Sequence, residues 1–290
     1  MKKAHSLVLL FVLAVLTVSC SSDSGSGGGG DSFTYVYDGN NVNIIDVTAQ
    51  KVENSLVVSG TAANGQSIEF NFNKFGDLGT VSSFSVSDFD FPDTETYQNF
   101  SGHYFTFNLI SIDETNKRVH VSFSGNLYEE FDNLNSNSVP VSGEFEVTYI
   151  ETQPNVAGLG VDCKIAGENW YSTNSYTNNG YSIDDFILRE LSDDENRISI
   201  GFDATNNNPG TYNFTAASTT NFVKLSKFNT TSVDFTDYNC AGTLTVTNKT
   251  SAGFIGYIIE GTYSFTATNP SNPSQVIQVT NGRFKTFYSW

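Results

Sequence analysis

Histidine, methionine and basic residues are scarce in this chain, and each scarcity closes off a class of function. Methionine occurs once and histidine three times in 290 residues. His5 lies in the leader discussed below, and His103 and His120 both fall in the first half, so a Ser-His-Asp arrangement in the second half is excluded. His120 alternates with Val119 and Val121 and reads as an outward strand residue, not a general base. The 14 Lys and Arg face 31 Asp and Glu, a formal net charge of −17. Such a surface repels phosphate backbones and anionic headgroups, so nucleic acid is not an expected partner. No apolar run is long enough to cross a bilayer, the longest being Leu7 to Val18.

What is abundant is strand chemistry. The chain holds 24 Phe and 14 Tyr, with Thr and Val throughout, a mix that favours pleated surfaces over helices. The closing stretch from Gly261 to Tyr288 reads as two alternating runs joined by a Pro, Asn and Ser loop, an antiparallel pair. A fainter version runs from Gly125 to Tyr149. Ser55–Phe72 and Asp185–Phe202 align as hairpins without a gap, one turning at Asn64-Gly65 and the other at Asp193 to Asn196. Gly79-Thr80 then matches Gly210-Thr211. The order of these turns predicts one unit used twice.

The expected organisation is a leader (1–19), a tether (20–32), a first β domain (33–151), a linker (152–160) and a second β domain (161–290). The fold class is all-β, two tandem related antiparallel domains of about eight strands each, and the pattern suits a sandwich or an up-and-down barrel equally. Inward positions should be Ile68, Phe70, Phe72, Phe105, Phe107, Phe123, Phe145 and Val147 in the first core. In the second they should be Ile198, Ile200, Phe202, Tyr212, Phe214, Leu244, Val246, Tyr263, Phe265, Val279 and Phe284.

Lys2 and Lys3, the apolar run and Ser19 before Cys20 form a secretory signal. Cys20 in that place resembles the lipobox of bacterial lipoproteins, with Thr17 where that pattern prefers an aliphatic residue. The resemblance implies lipidation at Cys20, a membrane attached as partner, and location in the outer membrane. Ser21 to Gly30 is a flexible tether with an r.m.s. reach of roughly 17 Å, and Asp23 within it resembles an acidic tag for surface display. Further on, Gly167-x-x-Trp170, Gly210-Thr211-Tyr212, Gly261-Thr262-Tyr263-Ser264-Phe265 and Thr280-Asn281-Gly282-x-Phe284 resemble an uncharacterised domain of small Bacteroidetes-type lipoproteins. That likeness covers 161–288, with a diverged copy in 33–151. It implies a compact β domain on a lipid anchor and carries no activity with it.

Aligning the copies sets Tyr35 against Cys163 and Phe100 against Cys240, so both positions change together. The expectation is a Cys163–Cys240 disulfide in an oxidising envelope, the alternative being two buried thiols. No catalytic residue, cofactor or metal is assigned. Glu129-Glu130, Asp184-Asp185 and Asp193-Asp194 are adjacent acids in turns or on opposite strand faces, and Asp88, Asp90 and Asp93 lack the spaced glycine and closing Glu of a calcium loop. Trp170, Tyr171, Tyr176 and Tyr181 form the one candidate ligand site, rings amid Ser, Thr and Asn that would stack on sugars. The function read from this is a non-enzymatic envelope lipoprotein, a surface interaction or structural module whose ligand, glycan or protein, the sequence leaves open, with the cell-surface face favoured over the periplasmic one; the alternative is a carbohydrate-binding accessory lipoprotein of a polysaccharide-utilisation system.

Overall fold

Alternating apolar and polar residues become strands because a pleated backbone puts every second side chain on one face, and most of the described residues are used this way. The computed structural model describes residues 30–85, 92–179, 185–203, 208–253 and 256–288, and Asp31–Trp290 form one compact unit. The first half contains β1 (Ser32–Tyr37), β2 (Asn40–Val52), β3 (Ser55–Ala62), β4 (Ser67–Asn73), β5 (Leu78–Phe84) and β6 (Thr94–Glu95). After one helical turn, α1 (Ser101–Tyr104), come β7 (Phe105–Asp113), β8 (Arg118–Tyr128), β9 (Ser138–Thr148) and β10 (Ile150–Thr152). Strands β1 to β6 pair each with the next, β6 touches β8, and β9 joins β8 back to β1. These strands close into an antiparallel barrel, with β7 added beside β8.

The second half contains β11 (Gly160–Ile165), β12 (Glu168–Tyr171), β13 (Asn174–Asn179), β14 (Asp185–Leu191), β15 (Asn196–Asp203) and β16 (Gly210–Phe214). It continues with β17 (Phe222–Asn229), β18 (Asp234–Asp237), β19 (Asn239–Ser251), β20 (Tyr257–Thr268) and β21 (Val276–Tyr288). Here the strands separate into two sheets, β12-β11-β21-β20-β19-β16 and β13-β14-β15-β17-β18. Ile198, Ile200 and Phe202 from the smaller sheet share one core with Leu244, Val246, Tyr263, Phe265, Val279 and Phe284 from the larger. The first half is therefore a barrel and the second a sandwich. The neighbour order is nonetheless shared: β11-β21-β20-β19 repeats β1-β9-β8-β7, and β13-β14-β15-β17-β18 repeats β2-β3-β4-β5-β6.

The expected cores are the observed ones, with Phe107 and Tyr212 half-buried at the margins. The turn at Asn64-Gly65 forms as a three-residue loop: Gly65 alone takes a positive φ, +86°, its N–H donates to the Ala62 carbonyl at 2.8 Å, and the Ala62 N–H donates to the Gln66 carbonyl at 2.8 Å. The match of Gly79-Thr80 to Gly210-Thr211 is overturned. Gly79 lies on β5 beside β4, whereas Gly210 opens β16, which pairs with β19 at the far edge of the other sheet. By neighbours, β5 corresponds to β17, and β16 is an extra strand.

The disulfide is overturned too, since Cys163 and Cys240 are free, buried thiols. β21 and β20 stand between β11 and β19, so the two cysteines are at least about 14 Å apart at the usual strand spacing, beyond the roughly 7 Å a bridge spans. The changes that motivated the bridge are compensated locally. Tyr35 pairs with Val42 across β1 and β2, and Cys163 pairs with Trp170 across β11 and β12. One copy matches a large residue with a small one, and the other does so in reverse. Phe100, set against Cys240, instead takes a left-handed conformation at φ 51° before α1.

The halves meet along an apolar seam. Tyr97 and Tyr128 from the first half and Phe228 from the second are buried together, with Phe100, Tyr104, Leu134 and Phe235 packed around them. Phe75 and Tyr171 stack across the same boundary with centroids 3.9 Å apart and planes 9° from parallel.

Candidate functional site

The predicted aromatic site does not assemble among the described residues. Trp170 and Tyr171 are consecutive strand residues, so their side chains leave β12 on opposite faces. Trp170 enters the core at 4% exposure and donates from Nε1 to Asp194 Oδ1 at 3.2 Å, while Tyr171 is spent on Phe75. Tyr176 sits opposite Arg189 in the β13–β14 register. Its side chain lies outside the described residues, as do Tyr181, Asp184, Asp88, Asp90 and the anchor candidate Cys20.

The titratable groups resolve into structural work. His120 faces outward and its Nε2 lies 2.6 Å from Glu144 Oε1. Glu129 and Glu130 fasten their loop by accepting from Asn137 Nδ2 at 2.9 Å and Asn133 Nδ2 at 2.8 Å. Asp93 accepts from Ser85 Oγ at 3.3 Å. Burial pushes the Cys163 thiol up to about 12 and the Cys240 thiol to about 11, which leaves both protonated and unreactive. At one end of the barrel a chain of charges runs Lys74, Glu114, Lys51, Glu151, Lys117, with Lys51 bonded to Glu151 at 2.9 Å and lying over the Tyr149 ring. Lys51 is only 4% exposed. Burial pulls its pKa down, but the Glu151 hydrogen bond and the two carboxylates hold it above the ordinary value. The network caps the barrel, and every lysine in it has a carboxylate partner.

One surface stands apart in chemistry. On the outer face of the six-stranded sheet, the outward positions are Thr211 and Asn213 on β16, Thr243 and Thr245 on β19, Thr262, Ser264 and Thr266 on β20, and Gln278 and Thr280 on β21. Cross-strand register stacks them in rows: Thr211, Thr245 and Thr262 in one, Asn213, Thr243 and Ser264 in the next. Thr211 Oγ1 and Thr245 Oγ1 are 3.1 Å apart, and Thr266 Oγ1 donates to Gln278 Oε1 at 3.2 Å. Each hydroxyl still has acceptor capacity facing outward. Because these side chains are short, the surface dips into an open hollow of about 450 Å³ between Thr243, Thr245, Thr262, Ser264, Asn281 and Arg283. A second hollow beside it shares Thr243 and Ser264 and reaches Gln278 and Thr280. Arg283 borders the field, its guanidinium forked onto Asp162 at 3.1 and 2.7 Å. No carboxylate lines either hollow.

Sequence reasoning passed over this face although its signal is legible. Thr-Leu-Thr-Val at 243–246 and Thr-Tyr-Ser-Phe-Thr at 262–266 alternate core residues with hydroxyls.

No protein family, no curated protein and no solved structure matches the chain.

Proposed function

We propose that this protein is a lipid-anchored, non-enzymatic module of the bacterial cell envelope, held by Cys20 at the outer membrane and displayed on its surface. The resemblance of its leader to a lipobox and of 161–288 to a lipoprotein domain supports the location. The observation that carries the binding role is the hydroxyl face: nine outward Thr, Ser, Asn and Gln positions on four adjacent strands, in a chain with 31 acids. A shallow, donor- and acceptor-rich groove that no carboxylate lines, its one cation Arg283 paired with Asp162, fits a neutral, extended, hydroxyl-bearing ligand, and a glycan chain is the class that meets all of these terms. The described residues of these strands offer a protein one large exposed apolar side chain on that face, Val276 at its β21 end, where a protein-interface core would call for several aromatic or aliphatic anchors, and this supports the carbohydrate-binding reading.

Two measurements test the proposal. Labelled palmitate should enter the wild-type protein and not Cys20→Ala, and a Cys20→Ala protein that still carries label removes the anchor. Affinity electrophoresis of the unlipidated chain through neutral polysaccharides should show retardation by at least one. A Thr245→Glu, Ser264→Glu double variant, charged but solvent-facing, should run unretarded. No retardation by any polysaccharide sinks the glycan reading and returns the face to a protein ligand.

A further inference from the structure

In a chain with 31 acids against 14 bases, a place where cations outnumber carboxylates stands out. The outer face of the five-stranded sheet is such a place. Leu188, Ile198, Ile200, Val223 and Leu225 point into the sandwich core, so the residues between them point away from it, and the register sets Arg189 of β14, Ser199 of β15 and Lys224 of β17 side by side. One row along, Arg197 stands beside Ser226, and Ser226 beside Asp237 of β18. That second row is engaged. The Arg197 guanidinium lies 4.0 Å from the Phe235 ring centroid, donates to Ser226 Oγ at 3.3 Å and has Asp237 at 3.5 Å. Asp237 also accepts from Ser226 Oγ at 2.7 Å and lies 3.6 Å from Lys224 Nζ, so one carboxylate serves two cations. The first row is left open. Among the described residues no ion pair or side-chain hydrogen bond engages Arg189, and Ser199, only 6% exposed, has no partner for its hydroxyl. The Arg197 Nε is buried without a partner as well. Burial, and after the opposing pull of Asp237 the nearby Arg189, lower the Arg197 pKa. The face is short of negative charge.

We propose that the Arg189–Ser199–Lys224 row binds one tetrahedral oxyanion, a phosphate or sulfate group, seated over Ser199. Cross-strand neighbours have Cβ atoms about 4.5–5.5 Å apart, so the two long side chains flank the serine within reach of a single ligand. Arginine offers a fork of N–H donors, lysine an ammonium and serine a hydroxyl. Three separate donors suit a group with at least three oxygens better than a carboxylate with two. The net charge of −17 repels long polyanions, but salt screens that field beyond roughly 8 Å, and a small group in direct contact answers to its immediate neighbours. This site belongs to the sheet opposite the hydroxyl face and does not depend on it.

Nitrogen-15 NMR of the whole unlipidated chain tests this, with inorganic phosphate and sulfate as probes and chloride exchanged out to hold ionic strength. The Arg189 Nε–Hε signal and the Ser199 amide should shift saturably, with a midpoint near or below about 1 mM. Acetate should need at least about tenfold more. In the Arg189→Gln, Lys224→Gln double variant, both changes facing solvent, the phosphate midpoint read at the Ser199 amide should rise at least about tenfold. A linear drift that chloride reproduces, or a double variant that saturates as the wild type does, overturns the site, and acetate binding as tightly as phosphate overturns the tetrahedral assignment. Should the double variant fail to fold, the wild-type titrations decide by themselves. Pelleting with phosphatidylglycerol vesicles separates the sources: pelleting that the double variant loses assigns the group to a lipid headgroup, and phosphate saturation without pelleting assigns it to a soluble or sugar-borne ester.

Discussion

In the first half β2 runs unbroken from Asn40 to Val52, pairing with β1 at its start and with β3 over the rest, and a bulge between Ile44 and Asp46 bends it from one partner to the other. In the second half the corresponding stretch is interrupted between β12 and β13. The Ser172 N–H donates to Val161 on the six-stranded sheet, and the next N–H, that of Thr173, donates to Leu191 on the five-stranded sheet. Consecutive residues thus belong to different sheets. The bulge turns a barrel corner and the break opens one, so closure is decided at the corners and not by strand composition. The opposite edge follows suit, since β6 touches both β5 and β8 while β18 pairs with β17 alone.

The largest test of this comparison asks whether closure makes the barrel an independent body. Phe145→Ala in the barrel core and Phe202→Ala in the sandwich core should each cost about 3–5 kcal/mol. Because the seam buries Tyr97, Tyr128 and Phe228 together, both variants should shift one shared urea transition. A second transition, left unmoved by Phe145→Ala, would show that the halves unfold separately. Next comes the exchanged pair. Trp170→Val should cost about 3 kcal/mol and Cys163→Tyr about 1–3, but installing both reproduces the Tyr35–Val42 pair and should recover at least about 1 kcal/mol over the sum. Strict additivity in the double-mutant cycle would refute local compensation.

A smaller effect probes the barrel's charged end through the sign of its titration. The hydrogen bonds from Lys117 and Lys51 hold Glu151 at about 2, below its ordinary 4.5, so its contribution is present above 4.5 and lost as pH falls through about 2. In Lys117→Met the Glu151 midpoint, followed by carbon-13 NMR, should rise and the acid limb of the stability profile should flatten. An unmoved midpoint would assign the depression elsewhere. Smallest of all, Thr245→Val on the hydroxyl face should change stability by no more than about 0.5 kcal/mol while weakening polysaccharide retardation. Retention at the wild-type level would take that hydroxyl out of the ligand's path.

Local features were read well from sequence because their physics is local. Period-two alternation placed Ile68, Phe70 and Phe72 on the core face, where they lie, and marked the hairpin from Asp185 to Phe202 that forms. Barrel against sandwich was not legible, because a deciding contact joins residues as distant as Glu95 and Tyr128, and nothing within β6 or β8 records whether the sheet closes there. The cysteines misled for the same reason. Co-replacement of Tyr35 and Phe100 looked like contact, but the compensating residue for Cys163 was Trp170, seven positions on and across one turn. The candidate site was missed through emphasis: rings were sought, and the rings had gone inward, leaving hydroxyls outside.

The way the first barrel is fastened at its two ends bears on how it would carry load. Asp31, just ahead of β1, accepts hydrogen bonds from both the N–H and Oγ1 of Thr148, at 2.9 Å each, at the last residue of β9. Beyond it, β10 runs parallel to the end of β2, and the Gly158 N–H is held by Glu53. The chain therefore starts and finishes the barrel at one spot and latches itself there. Under the proposed anchoring at Cys20 and ligand grip on the second half, tension would pass across the Asp31–Thr148 latch into the linker, sparing the barrel wall. The closed half would act as a shackle, and the open half would be free to carry the grip.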